Sequence, residues 1–329
     1  QENRFEQYDI NIDRPKPLVP RYLRWGIRER MNVNGEVLIQ LEDKSIEQLL
    51  PMIDKNQIEA IAIGLIHSYA NSIHEEKIAE RLSAARPDLS ITLSSQVCPE
   101  IREYERQSTA CANAYVQPLM SRYLTKLDEA LQSMGFMCPF LLMTSGGGLT
   151  TLDTSIKFPV RLVESGPAGG AILATEIAKE CGIDNVLSFD MGGTTAKICL
   201  IDDYTPQMTR TFEVARVYRN LKGSGLPLRI PAIEMVEIGA GGGSIAKVDD
   251  MKRISVGPES SGASPGPACY GQGGLDATVT DADVILGRID PKDFAGGAVK
   301  LAPEKADLVL QKAVCLLYTS DAADDRDSV

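Results

Sequence analysis

The run SFDMGGTTAKICLI at residues 188–201 holds the side chains best suited to chemistry in this chain. Apolar residues (Val186, Leu187, Phe189) lead into Asp190. Gly192, Gly193, Thr194 and Thr195 follow, and a second apolar run (Ile198, Leu200, Ile201) leaves. The pattern predicts a β-hairpin with a glycine tip. Such a tip suits phosphate. Glycines bring the backbone close to an anion with no Cβ in the way, successive N–H groups form an anion-binding concavity, and the two threonines add hydroxyls. Asp190 is placed to hold Mg²⁺, or a metal-bound water, beside the phosphates. The same residues also fit a plain hairpin with a Gly-Gly turn.

A second cluster, VEIGAGGGSIAKVD at residues 236–249, has the same grammar: a short apolar strand, a glycine loop, then apolar alternation. Gly239, Gly241, Gly242 and Gly243 leave almost no side chain over the loop, and Ser244 ends it. Glycine is entropically costly, so this density predicts that something sits close to the backbone. Predicted strands on both sides argue against a free linker. Neither cluster contains G-x-x-x-x-G-K-[ST], so neither is a Walker A loop, and neither fits G-x-G-x-x-G opening a helix, which disfavours a dinucleotide site.

The elements that must position these loops divide the chain near Gly182. Residues 1–182 are predicted to hold the end of an N-terminal region and a first α/β lobe. Residues 183–313 are predicted to form a second lobe carrying both glycine clusters. In the first lobe, Asn34-Gly35 predicts a hairpin turn, residues 45–53 a short amphipathic helix and residues 60–65 a strand. A helix over 72–85 with Ser72 as N-cap and a strand over 89–93 complete a β-α-β unit, so part of the sheet is expected to be parallel. A helical pattern over 109–134 is interrupted by Pro118, with Leu119, Tyr123, Leu127 and Leu131 at core-facing spacing. A strand over 140–143 runs into Ser145-Gly146-Gly147-Gly148, and a helix over 168–181 is closed by Gly182.

Size and charge bound the function. At 329 residues the chain is long enough for two domains, and a net charge of −11 disfavours nucleic acid and anionic membrane as partners. No apolar run approaches the ~18 residues of a membrane span. Seven dispersed cysteines without a C-x-x-C spacing read as reduced thiols, and with no secretory leader pattern the expected location is cytoplasmic. The last residues, CLLYTSDAADDRDSV, fit nothing before them. Residues 314–329 are expected to be a non-native, adapter-derived tail, and the whole chain an internal fragment.

Other candidates carry two readings each. The glycine- and proline-rich segment GPESSGASPGPACYGQGG is expected to be irregular and is better read as a functional loop than as a plain connection. Within it, Cys269 is either a nucleophile or, the better reading, a small buried thiol. Asp281 caps a helix start or reaches a metal or substrate, and Asp283 is an exposed acid. His67 and His74, seven apart, lack the spacing of a ligand pair and are read as structural. Glu103 and Arg106, in IREYERQST, either start a solvated helix or face a cleft.

Taken together, PLVPRYLRWGIRERMNVNGEVL, SSQVCPEIREYERQSTACANAYVQPLM, MTSGGGL, ESGPAGGAI, SFDMGGTTAK, VEIGAGGGSIA and the 257–274 segment followed by TVTDADVILGRI resemble, in order, the A-type subunit of the hydantoinase/oxoprolinase family. The resemblance implies an α/β, actin-like ATPase (ribonuclease H-like) two-lobe fold, here incomplete at both ends, that clasps ATP with Mg²⁺. It places Asp190, Gly192, Gly193 and Thr194 at the family's second phosphate hairpin. It places Gly239, Gly241, Gly242 and Gly243 at the loop near the adenosine side. Nothing in the chain matches the family's first acidic-GGT hairpin. Lys197 stands where many members carry Asp, and is either a phosphate contact or a solvated lysine. The implied activity is ATP-dependent opening of a cyclic amide such as a hydantoin or 5-oxoproline, with a B-type partner subunit. An ATP-dependent ketone carboxylase subunit and a non-catalytic nucleotide-binding module are the alternatives.

Overall fold

The computed structural model describes residues 8, 9, 11, 16–216 and 223–315. The proposed non-native tail therefore lies almost wholly outside the described residues. Two compact units emerge, one from the residues up to Leu173 together with Gln207–Glu234, the other from Ala174–Pro206 together with the residues from Met235 onward.

The first unit is built on a parallel pair. Strands β1 (Ala60–Ile63) and β2 (Ser90–Leu93) run side by side, with Ala60 opposite Ser90 and Ile63 opposite Leu93. Parallel strands need a crossover, and helix α1 (Ile73–Ala85) supplies it. Ile78 and Leu82 on α1 bury against Ile63, Leu89 and Leu93, and Ile46, Leu49 and Ile53 close the cluster. The predicted helix over 45–53 is two short ones, Asp43–Glu47 and Leu50–Lys55, separated just before Pro51. Ser72 holds the N-cap position of α1 without capping it. Its hydroxyl donates to Glu76 Oε1 at 2.6 Å, and Asn71 Oδ1 accepts the Ile73 N–H at 3.1 Å instead. The Asn34-Gly35 turn joins Arg30–Met31 to Val37–Ile39 as predicted, with Gly35 at φ +81°.

Helix α2 (Glu103–Ser133) departs from the sequence expectation in two ways. It begins before Thr109 and passes through Pro118 unbroken. Proline there forfeits the bond to the Ala114 carbonyl. Packing against β1, β2, residues 94–97, 159–162 and 226–228 holds the helix together across that gap. The buried stripe also differs. Leu119 is 66% and Tyr123 58% exposed, whereas Arg106, Ala110, Asn113 and Leu124 are buried. Small side chains at 110 and 112–114 let the helix approach the strands closely, and this close approach outweighs the leucine–tyrosine row.

A buried polar group ties α2 to the ends of both strands. Arg106 is 1% exposed and donates to Glu100 O at 2.7 Å, Leu65 O at 2.9 Å and Ser94 Oγ at 3.3 Å. Glu75, fully buried, accepts from the Leu65 N–H, the Ser95 N–H and the hydroxyls of Ser94 and Ser95 at 2.7–3.0 Å. Ser94 Oγ bridges the two charges. Arg106 is therefore structural, and Glu103 is exposed. Replacing Arg106 removes the donor to Glu100 O, one of the donors to Leu65 O, and the cation that Ser94 links to the buried Glu75 carboxylate. Arg106→Met is expected to lower unfolding free energy by about 3 kcal/mol in urea titration. Arg122→Met, at an exposed position of the same helix, is expected to stay within ~0.5 kcal/mol of wild type.

The second unit carries the glycine clusters. Gly182 ends the preceding helix, Ser165–Cys181, at φ +68°, with N–H bonds from Gly182 to Lys179 O and from Ile183 to Ala178 O. Strands β3 (Val186–Met191), β4 (Ala196–Asp202) and β5 (Val236–Ile238) form an antiparallel sheet in the order β5-β4-β3, and Thr205–Pro206 adds to β4. A second antiparallel pair, β6 (Ser244–Val248) and β7 (Ile254–Ser260), follows. The glycine- and proline-rich segment is thus not irregular from its start, because β7 runs through residues 257–260. Helices α3 (Val279–Ile285) and α4 (Pro303–Leu310) pack on one another, and Cys269, Val284, Leu301 and Ala306 form a core cluster.

Candidate functional site

The two glycine clusters meet in the second unit. Val236 lies opposite Ile198 and Ile238 opposite Ala196, so β5 delivers its glycine loop directly beside the tip of the β3–β4 hairpin. There the backbones lock. The Gly242 N–H donates to Gly192 O at 2.9 Å, and the Gly243 N–H donates to Gly193 O at 2.7 Å. The other sides of the loop are held as well. Thr280 N–H donates to Gly242 O at 2.7 Å, and Ser261 N–H to Gly243 O at 2.8 Å. Ser244 is fully buried, and its Oγ accepts the Gly241 N–H at 2.8 Å.

Space around each glycine separates two groups. A Cβ at Gly241 would lie 2.7 Å from Gly192 O and from the Thr194 backbone. One at Gly242 would lie 2.6 Å from Thr280 Oγ1, and one at Gly243 2.8 Å from Ser260 Oγ and 3.0 Å from Gly193 O. These three glycines are required by protein packed against protein, and the N–H groups of Gly242 and Gly243 are spent on the hairpin. Gly192, Gly193 and Gly239 differ. A Cβ at Gly192 would meet only ordinary contact, and at Gly193 and Gly239 nothing within 4 Å; none of the three has a positive φ. The fold itself does not demand glycine at these positions.

The hairpin tip is exposed and keeps its donors. Gly192 N–H closes the turn onto Thr195 O at 2.9 Å. Among the described residues, the N–H groups of Gly193, Thr194 and Thr195 and both threonine hydroxyls make no hydrogen bond to protein. Just below the tip, register puts three charges in a row on one face of the sheet: Asp190 opposite Lys197, and Lys197 opposite Glu237. Lys197 Nζ stands 3.9 Å from Glu237 Oε1 and is largely buried, while Asp190 is exposed. Opposite charges facing each other across strands are mutually stabilising. Lys197 is accordingly not a solvated hairpin lysine. Glu237 escapes sequence reasoning because only the β4–β5 register brings it there; its alternation with Val236 and Ile238 is the faint signal.

The remaining candidates resolve as structural. Asp281 is fully buried and completes a capping box with Thr278. Its carboxylate also accepts the N–H groups of Cys269 at 2.8 Å and Ala268 at 3.3 Å, which leaves no capacity for metal or substrate. Cys269 is fully buried beside it, and burial, with the Asp281 carboxylate adjacent, pushes its thiol up to about 12. A thiol held neutral in this way is a poor nucleophile. Asp283 meets Arg288 at 3.3 Å. His74 Nδ1 lies 2.8 Å from Glu29 Oε2, and His67 Nδ1 is 3.4 Å from the Tyr69 hydroxyl. Among the described residues no group of three or more His, Cys, Asp or Glu side chains is arranged to hold a metal ion, and no helix is long and apolar enough to cross a membrane. In the first unit a cavity of about 420 Å³ opens at the carboxyl ends of β1 and β2, walled by Asn34, Ser68, Tyr69, Asn71, Ser95 and Gln96.

The division among the glycines makes a direct prediction. Gly241→Ala drives a methyl into backbone that cannot move aside and is expected to destabilise the chain by about 2 kcal/mol in denaturant unfolding. Gly239→Ala, with open space around it, is expected to change stability by less than ~1 kcal/mol, in the stabilising direction if in either.

The chain is similar to known proteins over most of its length. The hydantoinase/oxoprolinase profile matches residues 106–316, and the hydantoinase/oxoprolinase N-terminal region profile matches residues 1–85. An uncharacterized protein of Methanocaldococcus jannaschii is 40% identical over 308 residues, covering 93% of this chain and 45% of that protein. The caprolactamase alpha subunit of Pseudomonas jessenii is 35% identical over 300 residues, covering 91% of this chain and 42% of its own. The crystal structure of that ATP-dependent caprolactamase superposes with a TM-score of 0.71 at 34% identity, over 93% of this chain and 43% of the other. A nucleotide-free structure of acetone carboxylase gives a TM-score of 0.71 at 27% identity, over 91% of this chain and 41% of the other. The chain thus spans less than half the length of these relatives.

Proposed function

The chain belongs to the hydantoinase/oxoprolinase family, and from that premise we propose that it is an internal part of an ATP-binding, A-type subunit that opens cyclic amides. In this reading the fold is the actin-like, two-lobed ATPase architecture, and the β3–β4 tip is one phosphate-binding element. The observation that carries it is the tip itself. Gly193 has neither a positive φ nor a neighbour within 4 Å that a Cβ would strike, yet it sits among three N–H groups that make no bond to protein. An anion approaching the backbone explains both features at once.

The residues fit a phosphate with its cation. The N–H groups of Gly193, Thr194 and Thr195, with the two threonine hydroxyls, donate to phosphate oxygens. Asp190 offers one exposed carboxylate, and a Mg²⁺ site built from one carboxylate and substrate phosphates needs no larger cluster of ligands. Lys197 adds positive charge from within the Asp190–Lys197–Glu237 row. Gly241, Gly242, Gly243 and Ser244 act one step removed, fixing the tip from beneath. The protein's contribution is positioning and charge neutralisation. What ATP supplies is a phosphoryl group for the amide oxygen, which makes an otherwise unreactive ring carbon electrophilic. A B-type partner subunit is expected to complete the hydrolysis, in keeping with the name of the caprolactamase relative, a subunit alpha. A ketone carboxylase is the second reading, because the acetone carboxylase superposition is as good as that of caprolactamase. Turnover of ATP with hydantoins, 5-oxoproline, larger lactams and ketones separates the two.

The reading makes a sharp demand on Gly193. In the intact gene product, Gly193→Ala is expected to leave thermal unfolding unchanged and to weaken Mg-ATP binding about tenfold, or about 1.4 kcal/mol, by calorimetry. Unchanged affinity with an intact fold would remove the tip from the phosphate site.

A further inference from the structure

The β3–β4–β5 sheet has a second face that the nucleotide reading does not use. Residues Asp190, Lys197 and Glu237 share one face with Ser188, Cys199 and Ile201, of which Cys199 and Ile201 are buried. Alternation places Leu187, Phe189, Met191, Leu200, Val236 and Ile238 on the other. Each of these six is between 42% and 62% exposed. In register they form one continuous patch: Leu187 faces Leu200, Phe189 and Val236 flank Ile198, and Met191 and Ile238 flank Ala196. No charged side chain interrupts it. A sheet face that meets water carries polar residues, whereas a face lined by apolar ones packs against another layer. An unbroken apolar patch of this kind marks a surface meant to be covered.

We infer that this face is an internal packing surface, covered in the intact polypeptide by a segment of the same chain outside these 329 residues. The length of the relatives favours that occupant. Only 45% of the archaeal relative and 42% of the caprolactamase subunit is matched here, so more than half of each lies elsewhere. The inference rests on the reading that the chain is part of a longer polypeptide, but not on the nucleotide site.

Methionine oxidation and cross-linking of the intact gene product test it. Met137 is 91% exposed and Met31 1% exposed, so they serve as open and closed references for Met191 within one molecule. In the monomeric gene product, Met191 is expected to oxidise in peroxide at least about tenfold more slowly than Met137, since susceptibility follows exposure. Phe189→p-benzoylphenylalanine is expected to give photo-cross-links to peptides outside the present sequence and within the same molecule. Oxidation of Met191 as fast as Met137, no cross-link, a cross-link within the present sequence, or one to a second copy would each overturn the inference. A gene that encodes nothing further would overturn it together with the fragment reading. A longer gene with a reactive Met191 overturns the packing surface alone.

Discussion

Two backbone hydrogen bonds, Gly242 N–H to Gly192 O and Gly243 N–H to Gly193 O, are the constraint on which the candidate site depends. They join a loop to a hairpin tip with no side chain between them, and so leave room for none at Gly241, Gly242 or Gly243. A glycine-rich loop would ordinarily be the softest part of a sheet edge. Here Thr280, Ser261 and the Ser244 hydroxyl tie it down on its other sides, and the capping box at Thr278–Asp281 fixes the helix from which Thr280 projects. The outcome is a rigid support under a tip whose own donors remain available.

That arrangement divides the work between the two clusters. The first presents donors outward, and the second spends its donors inward to hold the first in place. In the proposed reading, N–H groups pre-organised in this way would stabilise phosphate charge without reorganising when it arrives. The charge row beneath the tip belongs to the same design. Lys197 sits between Asp190 and Glu237 in register, so its cation is held near the tip rather than free to wander into solvent.

Local signals were the ones readable in the sequence. The Asn34-Gly35 turn, the β3–β4 hairpin, the helix stop at Gly182 and the parallel β1–α1–β2 unit each follow from a few neighbouring residues. What escaped depends on distant partners. Nothing near residue 241 announces that its neighbour will be the backbone of residues 192–194, so density of glycine alone pointed to a ligand for all four loop glycines. The Glu237–Lys197 pair needs the strand register, and the exposure of Leu119 and Tyr123 needs the close approach that small residues at 110–114 allow. Proline punctuation misled at residue 118, because tertiary packing on both sides outweighed one lost hydrogen bond. The order of the motifs carried the family assignment further than any single motif.

Hydrogen exchange of individual amides tests the central claim most directly. In the intact gene product without nucleotide, Gly242 and Gly243 should exchange slowly while Gly193, Thr194 and Thr195 exchange fast. Adding Mg-ATP should slow the tip amides and leave the two glycines as they were. Fast exchange at Gly242 and Gly243, or tip amides indifferent to Mg-ATP, would contradict the account.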